Sequence, residues 1–156
     1  MHRSVIAGTA AVVAMAALPS PPAGAAQARA RRFSESYTGA MISRNGSRFE
    51  SVYRAKRTPD GPGAAVEDGV LLGTTYPVQG HDLVTTYFHD GARVAAETFT
   101  LGPPDINGIG AITGDGRCRG GTRVHRGETC TYSFKGTYDL ATTVVALRIT
   151  GTDTRR

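Results

Sequence analysis

The side chains able to do chemistry are few and far apart. The 156-residue chain holds two Cys, four His, 13 Asp+Glu and no Trp. Cys118 and Cys130 form an even pair whose spacing is not the C-x-x-C of redox enzymes. They predict a structural disulfide across a hairpin, of the kind exported proteins carry, worth about 3 kcal/mol for so short a loop. His81-Asp82 and His89-Asp90 each set an imidazole beside a carboxylate, a combination suited to metals or proton transfer. Strand geometry separates the two pairs by about 26 Å, so they do not share a site. The sequence contains neither His-x-His nor His-Glu-x-x-His. We therefore expect His81, His89 and His125 to be exposed loop histidines, with no metal and no cofactor. A serine-hydrolase elbow, Gly-x-Ser-x-Gly, is absent as well.

The sharper signal comes from strand parity. Phe33, Glu35, Tyr37, Gly39 and Met41 alternate onto one face, as do Ala95, Glu97, Phe99 and Leu101. With aromatics inward, Glu35 and Glu97 enter an apolar interior, where desolvation raises a carboxyl's pKa. That makes them candidate acids or bases, or polar anchors for a ligand. The structural alternative is that Glu35 sits in solvent near a strand end and Glu97 pairs with an Arg. Thr98 and Thr100 on the opposite face support the inward placement of Glu97. Tyr37, Tyr53, Phe99, Tyr132 and Phe134 are the candidate ligand-contacting rings, with core packing as the alternative for each.

These positions need strands to hold them, and the body of the chain supplies them. From Phe33 onward the apolar period is close to two, with Gly, Pro, Asn and Asp recurring about every ten residues. Strands are predicted at 33–43, 48–56, 64–76, 83–88, 93–101, 106–113, 118–125, 130–138 and 143–152. Asn45-Gly46 and Asp90-Gly91 supply hairpin turns, and 58–63 reads as a loop. Eight or nine hairpin-linked strands imply an all-β, antiparallel fold. A closed eight-stranded barrel with one disulfide-linked hairpin is favoured, because closure removes exposed edges. Gly108, Gly110, Gly114, Gly116, Gly120 and Gly121 lack the spacing and following helix of a dinucleotide fingerprint. They are expected to let the sheet bend.

The same glycines carry a resemblance. Gly108-Ile109-Gly110-Ala111-Ile112-Thr113-Gly114, then Gly120-Gly121-Thr122, then Tyr132 through Gly136 to Tyr138 resembles the pattern of bacterial secreted proteins with the allene oxide cyclase/dirigent-like barrel. The match covers roughly the last third of the chain. It departs from the pattern at Arg123, at Val124-His125 and at Arg126-Gly127-Glu128-Thr129. The resemblance implies an eight-stranded barrel with a largely apolar central cavity; it transfers no catalytic set residue by residue.

The N-terminal segment reads as an address. Met1-His2-Arg3, an apolar run over 5–18 and a Pro-rich stretch ending in Ala23-Gly24-Ala25 have the layout of a secretory signal peptide. Cleavage is expected after Ala25, with Ala28 as a second site, leaving a flexible basic tail over 26–32 and a barrel domain over 33–154. The apolar run is shorter than the roughly 20 residues of a spanning helix, so no membrane anchor is expected after cleavage. The preponderance of Arg over Lys and the many Ala and Gly point to a high-GC bacterial source.

The net charge of +5 belongs to the ends of the chain. Residues 33–154 carry 12 basic against 13 acidic groups, 12 − 13 = −1. Within them, 58–105 holds Arg93 against seven acids, 1 − 7 = −6. A nucleic-acid partner is not expected. The leading expectation is an exported barrel binding a small apolar ligand. The alternatives are a cofactor-free cyclase or isomerase working by confinement with Glu97 moving a proton, and a secreted structural or interaction protein with a filled lumen.

Overall fold

The computed structural model describes residues 29–58 and 60–154. The segment read as a signal peptide, with its cleavage sites, lies outside the described residues. Eight strands follow one another: β1 (Ala30–Asn45), β2 (Arg48–Thr58), β3 (Gly61–Leu71), β4 (Val78–Phe88), β5 (Gly91–Leu101), β6 (Ile109–Gly121), β7 (Thr129–Asp139) and β8 (Val144–Thr154). Each pairs antiparallel with its chain neighbours, and β8 returns to β1, so the sheet is a closed barrel. Closure pairs every edge, which a twisted sheet of this size otherwise leaves open to other chains.

Local sequence explains most boundaries. Gly46 takes φ 60° at the tight β1–β2 turn, a conformation that favours glycine. A bulge between Met41 and Ser43 turns Ile42 out to solvent. Several boundaries differ from the sequence reading: the strand expected at 64–76 ends at Leu71, and the one expected at 83–88 begins at Val78. Gly61, Pro62 and Gly63 belong to β3, paired with β2, rather than to a loop. The strands expected at 106–113 and 118–125 are one strand, β6, followed by a 3-10 turn at Arg123–His125. β1 begins at Ala30, and Arg31, expected on a flexible tail, forms ion pairs with Asp153 and Asp60.

The expected disulfide joins Cys118 to Cys130 with Cα atoms 4.9 Å apart. It lies one step past the last β6–β7 ladder pair, Arg117 with Thr131. It thus fastens the seam from which the 3-10 turn departs.

The inward glycines do more than let the sheet bend. Phe49 faces Gly69, Phe99 faces Gly80, Tyr138 faces Gly110, Phe134 faces Gly114 and Tyr132 faces Gly116, each as a direct cross-strand partner. A Cβ on Gly80 would lie 2.2 Å from the Phe99 ring, and one on Gly116 2.2 Å from the Tyr132 ring. A barrel of eight strands has little interior room. Rings laid flat over glycines fill it without forcing strands apart.

The two ends of the barrel differ. At one end the β2–β3, β4–β5 and β6–β7 connections converge, and the 3-10 turn closes the lumen. At the other, the turns after β1, β3, β5 and β7 surround an open mouth.

Candidate functional site

Polar groups inside the barrel fall into two sets. Near the closed end Glu35 accepts two hydrogen bonds from Arg93, at 2.6 and 2.7 Å. Arg57 lies 3.3 Å from Glu35 and 2.9 Å from Asp60, and also pairs with Asp153 and Glu128. Its guanidinium stacks 4.1 Å over the Phe33 ring. His125, 0% exposed, sets Nδ1 2.5 Å from Glu128 and Nε2 3.2 Å from Asp90. The side chains of Glu35, Arg57, Glu128 and Asp153 are fully buried. Buried charges survive only when paired, and here acids and guanidinium groups interlock. Against its own burial, Asp153 is held below the usual carboxylate range by Arg31 and Arg57. Arg93 is likewise raised by Glu35 in spite of its burial.

The second set has the opposite character. Glu67 on β3, Asp82 on β4 and Glu97 on β5 all point inward, 7%, 5% and 6% exposed. Asp82 and Glu97 are direct cross-strand partners, a placement that sets like charges against each other. Among the described residues no ion pair engages any of the three. Tyr53 donates to Glu67 Oε2 at 2.5 Å, and Tyr132 donates to Glu97 Oε1. Neither Asp82 oxygen meets a donor. Its neighbour Glu67 is another carboxyl, and two such groups bond only when one carries a proton. Burial, then the charges of Glu97 and Glu67, pushes Asp82 far above the usual carboxylate range. Burial raises Glu97 in the same direction, opposed by the Tyr132 hydrogen bond. Burial therefore favours the neutral, protonated form of each. Burial and the adjacent carboxyls also raise Tyr53 and Tyr132, which stay protonated donors.

Above this acid layer the lumen opens. A cavity of about 220 Å³ runs to the mouth. Its walls include Phe49, Leu71, Tyr76, Leu101, Ile112 and Tyr138, and its polar lining is Ser51, Tyr53, Glu67, Thr74 and Arg44. Tyr76 stacks on Tyr138, whose hydroxyl is anchored to the Gly102 carbonyl at 2.6 Å. The result is an apolar cup with a carboxyl and a phenol at its base.

The residues singled out from the sequence divide between these places. Glu35 and Glu97 are both inward, as parity predicts. Their partners are the reverse of the structural alternatives: Glu35 is the one bound to arginine, and Glu97 is bonded to a tyrosine. Neither lines the cavity, and of the five candidate rings only Tyr53 does. Tyr37 bonds Thr86 at 2.5 Å, and Tyr132 covers Glu97. Phe99 and Phe134 lie on their glycines in the core.

His81 and His89 are exposed, although His81 lies within β4 rather than in a loop. His125 is a correction: the 3-10 turn folds it into the closed end, where its ring lies 5.6 Å from that of Phe88. Sequence reasoning missed Glu67 and Asp82. β3 alternates Ala65, Glu67, Gly69 against Val66, Asp68, Val70, and parity alone would turn the valines inward; Val66 is instead 46% exposed. For Asp82 the signal lay in starting β4 at Val78, which aligns Asp82 with Val84, Thr86 and Phe88.

The fold and this site define a class: a closed, disulfide-fastened β-barrel with an acid layer beneath an open apolar cup. Comparisons of the chain with protein-family models, with curated proteins and with solved structures return no match.

Proposed function

We propose that the protein is an exported binding barrel that holds a small apolar molecule in the cup at its mouth. The observation that carries this reading is the cavity of about 220 Å³, apolar in its walls and polar at its base. Sites for drug-sized ligands occupy roughly 300–1,000 Å³, so the occupant is a single ring or a short chain. The rest of the lumen is filled by aromatic rings and the two polar sets, which confines binding to the mouth. The tripartite N-terminus and the disulfide support export. The resemblance to allene oxide cyclase/dirigent-like barrels supports the same pairing of barrel and apolar cavity.

One observation favours a second reading, a cofactor-free cyclase or isomerase. Glu67 and Tyr53, 2.5 Å apart at the cavity base, are a carboxyl and a phenol placed to move a proton on a bound substrate. Glu97 would act beneath them through the shared acid layer.

Native mass spectrometry of the protein purified from its own culture medium tests the binding reading. The expected result is a bound small molecule in the wild type and none in Leu71→Trp, which fills the cup. A molecule retained by Leu71→Trp would overturn the assignment. So would an empty wild type whose mouth amides also fail to shift in an NMR titration with toluene.

A further inference from the structure

We propose, building on the binding reading above, that the molecule the cup takes is a small organic amine, held as its ammonium ion against Glu67. Three observations converge on a cation. The acid layer gathers Glu67, Asp82 and Glu97 with no ion pair to any of them among the described residues, whereas the closed-end acids are met by Arg31, Arg57 and Arg93. Asp82 is 5% exposed, and both of its oxygens lack a donor. Glu67 is the member of the layer that reaches the open cavity, beneath the rings of Phe49, Tyr53, Tyr76 and Tyr138. Aromatic walls over a carboxylate base suit an ammonium group on an apolar body. An alcohol or a carboxylic acid of the same shape brings no positive charge to Glu67.

Binding has a definite proton balance. The amine arrives as RNH3+ and keeps its proton. Its charge relieves the repulsion that keeps Asp82 and Glu97 protonated, so one carboxyl of the layer ionises and gives its proton to solvent. No covalent bond changes. The charged and titratable groups that enter this balance are Arg44 at the rim, Tyr53, Glu67, Asp82 and Glu97 around the base, Tyr76, Tyr132 and Tyr138, and, from below, Arg93 and Glu35, whose charges act on Glu97 in opposite directions. The tyrosine hydroxyls that bond the layer remain protonated. Arg44 is exposed, so solvent and salt screen its repulsion of an amine. Release of one proton makes affinity rise with pH, toward a limit of about tenfold per pH unit. The rise ends where the carboxyl that gives up the proton is already ionised in the free protein, about 8 for Glu97, and at the latest where the amine itself deprotonates, near the alkylammonium value of about 10.4.

The test is calorimetric titration of the full disulfide-linked protein with phenethylamine, phenethyl alcohol and phenylacetate at pH 6 and pH 8. The expected order is amine over alcohol by about tenfold or more at pH 8, with phenylacetate weakest. Amine binding should tighten between the two pH values and release a proton, read from buffers of different ionisation enthalpy. Glu67→Gln should lose the preference for amine while keeping the alcohol. Asp82→Asn, which leaves the cavity lining intact, should reduce the pH dependence. Equal binding of alcohol and amine, pH-independent amine binding, or an amine preference that survives Glu67→Gln overturns the amine inference and leaves the cup as a binding site. Failure of all three compounds to bind overturns the cup itself.

Discussion

Replacing Asp82 by Asn should make this protein more stable, and increasingly so as pH rises. In the unfolded chain Asp82 ionises with the ordinary value of 3.8. In the barrel it is held neutral well above pH 7, by burial first and by Glu97 and Glu67 next. At pH 7 folding must therefore load a proton onto it. Because the folded value exceeds 7, the cost follows from the gap between pH 7 and 3.8, about three pH units. At about 1.4 kcal/mol per unit that is roughly 4 kcal/mol. The sign follows from a raised folded pKa: the stability is fully present below pH 4 and is lost as pH climbs toward the folded value.

Asn keeps the shape, needs no proton, and offers an amide that can donate to the neighbouring carboxyls. Asp82→Asn should gain about 2–4 kcal/mol at pH 7, allowing for imperfect amide bonding, and about nothing at pH 4. Urea unfolding at pH 4, 5.5, 7 and 8.5 with the disulfide intact measures both. A uniform offset would reflect only how well the amide is bonded. The decisive readout is the difference in pH slope, and parallel curves for the two proteins would falsify the picture of a protonated acid layer.

The closed end should respond in the opposite sense. Asp153 is held below its ordinary value, so its contribution is present above about pH 4 and disappears on further acidification, giving the protein a stability maximum at mildly acidic pH. Glu35→Gln strands the guanidinium of Arg93 in the interior and removes one of the four acids around Arg57. It should cost about 3–5 kcal/mol in urea unfolding, and a loss below 1 kcal/mol would refute the buried network. Gly80→Ala drives a Cβ into the Phe99 ring and should cost about 1–3 kcal/mol. A Phe99→Leu background should remove most of that cost, which a double-mutant cycle reads directly. Reduction of Cys118–Cys130 should lower stability by about 3 kcal/mol, and hydrogen exchange should rise first in the segment from Gly121 to Thr129.

Much of the architecture is legible along the chain, because strand parity is a local property. Where large apolar residues and polar ones alternate cleanly, as in β1, β2, β5 and β7, each inward face follows from the residues themselves. This includes Glu35, Glu97 and the rings of Tyr53 and Tyr132. The turn at Gly46 and the pairing of Cys118 with Cys130 are local in the same sense.

In β3 and β4 apolar side chains occupy both faces, so parity does not distinguish inside from outside. Only pairing with already oriented neighbours, and closure of β8 on β1, turned Glu67 and Asp82 inward at the expense of Val66 and Leu83. The partners of each buried charge are more distant still. Glu35 meets Arg93 across 58 positions, and Arg57 meets Asp153 across 96. The acidic bias of residues 58–105 is a fact of sequence. That it becomes a proton-holding layer beneath an open cup was decided by the barrel, which gathers carboxyls from three neighbouring strands where water cannot keep them apart.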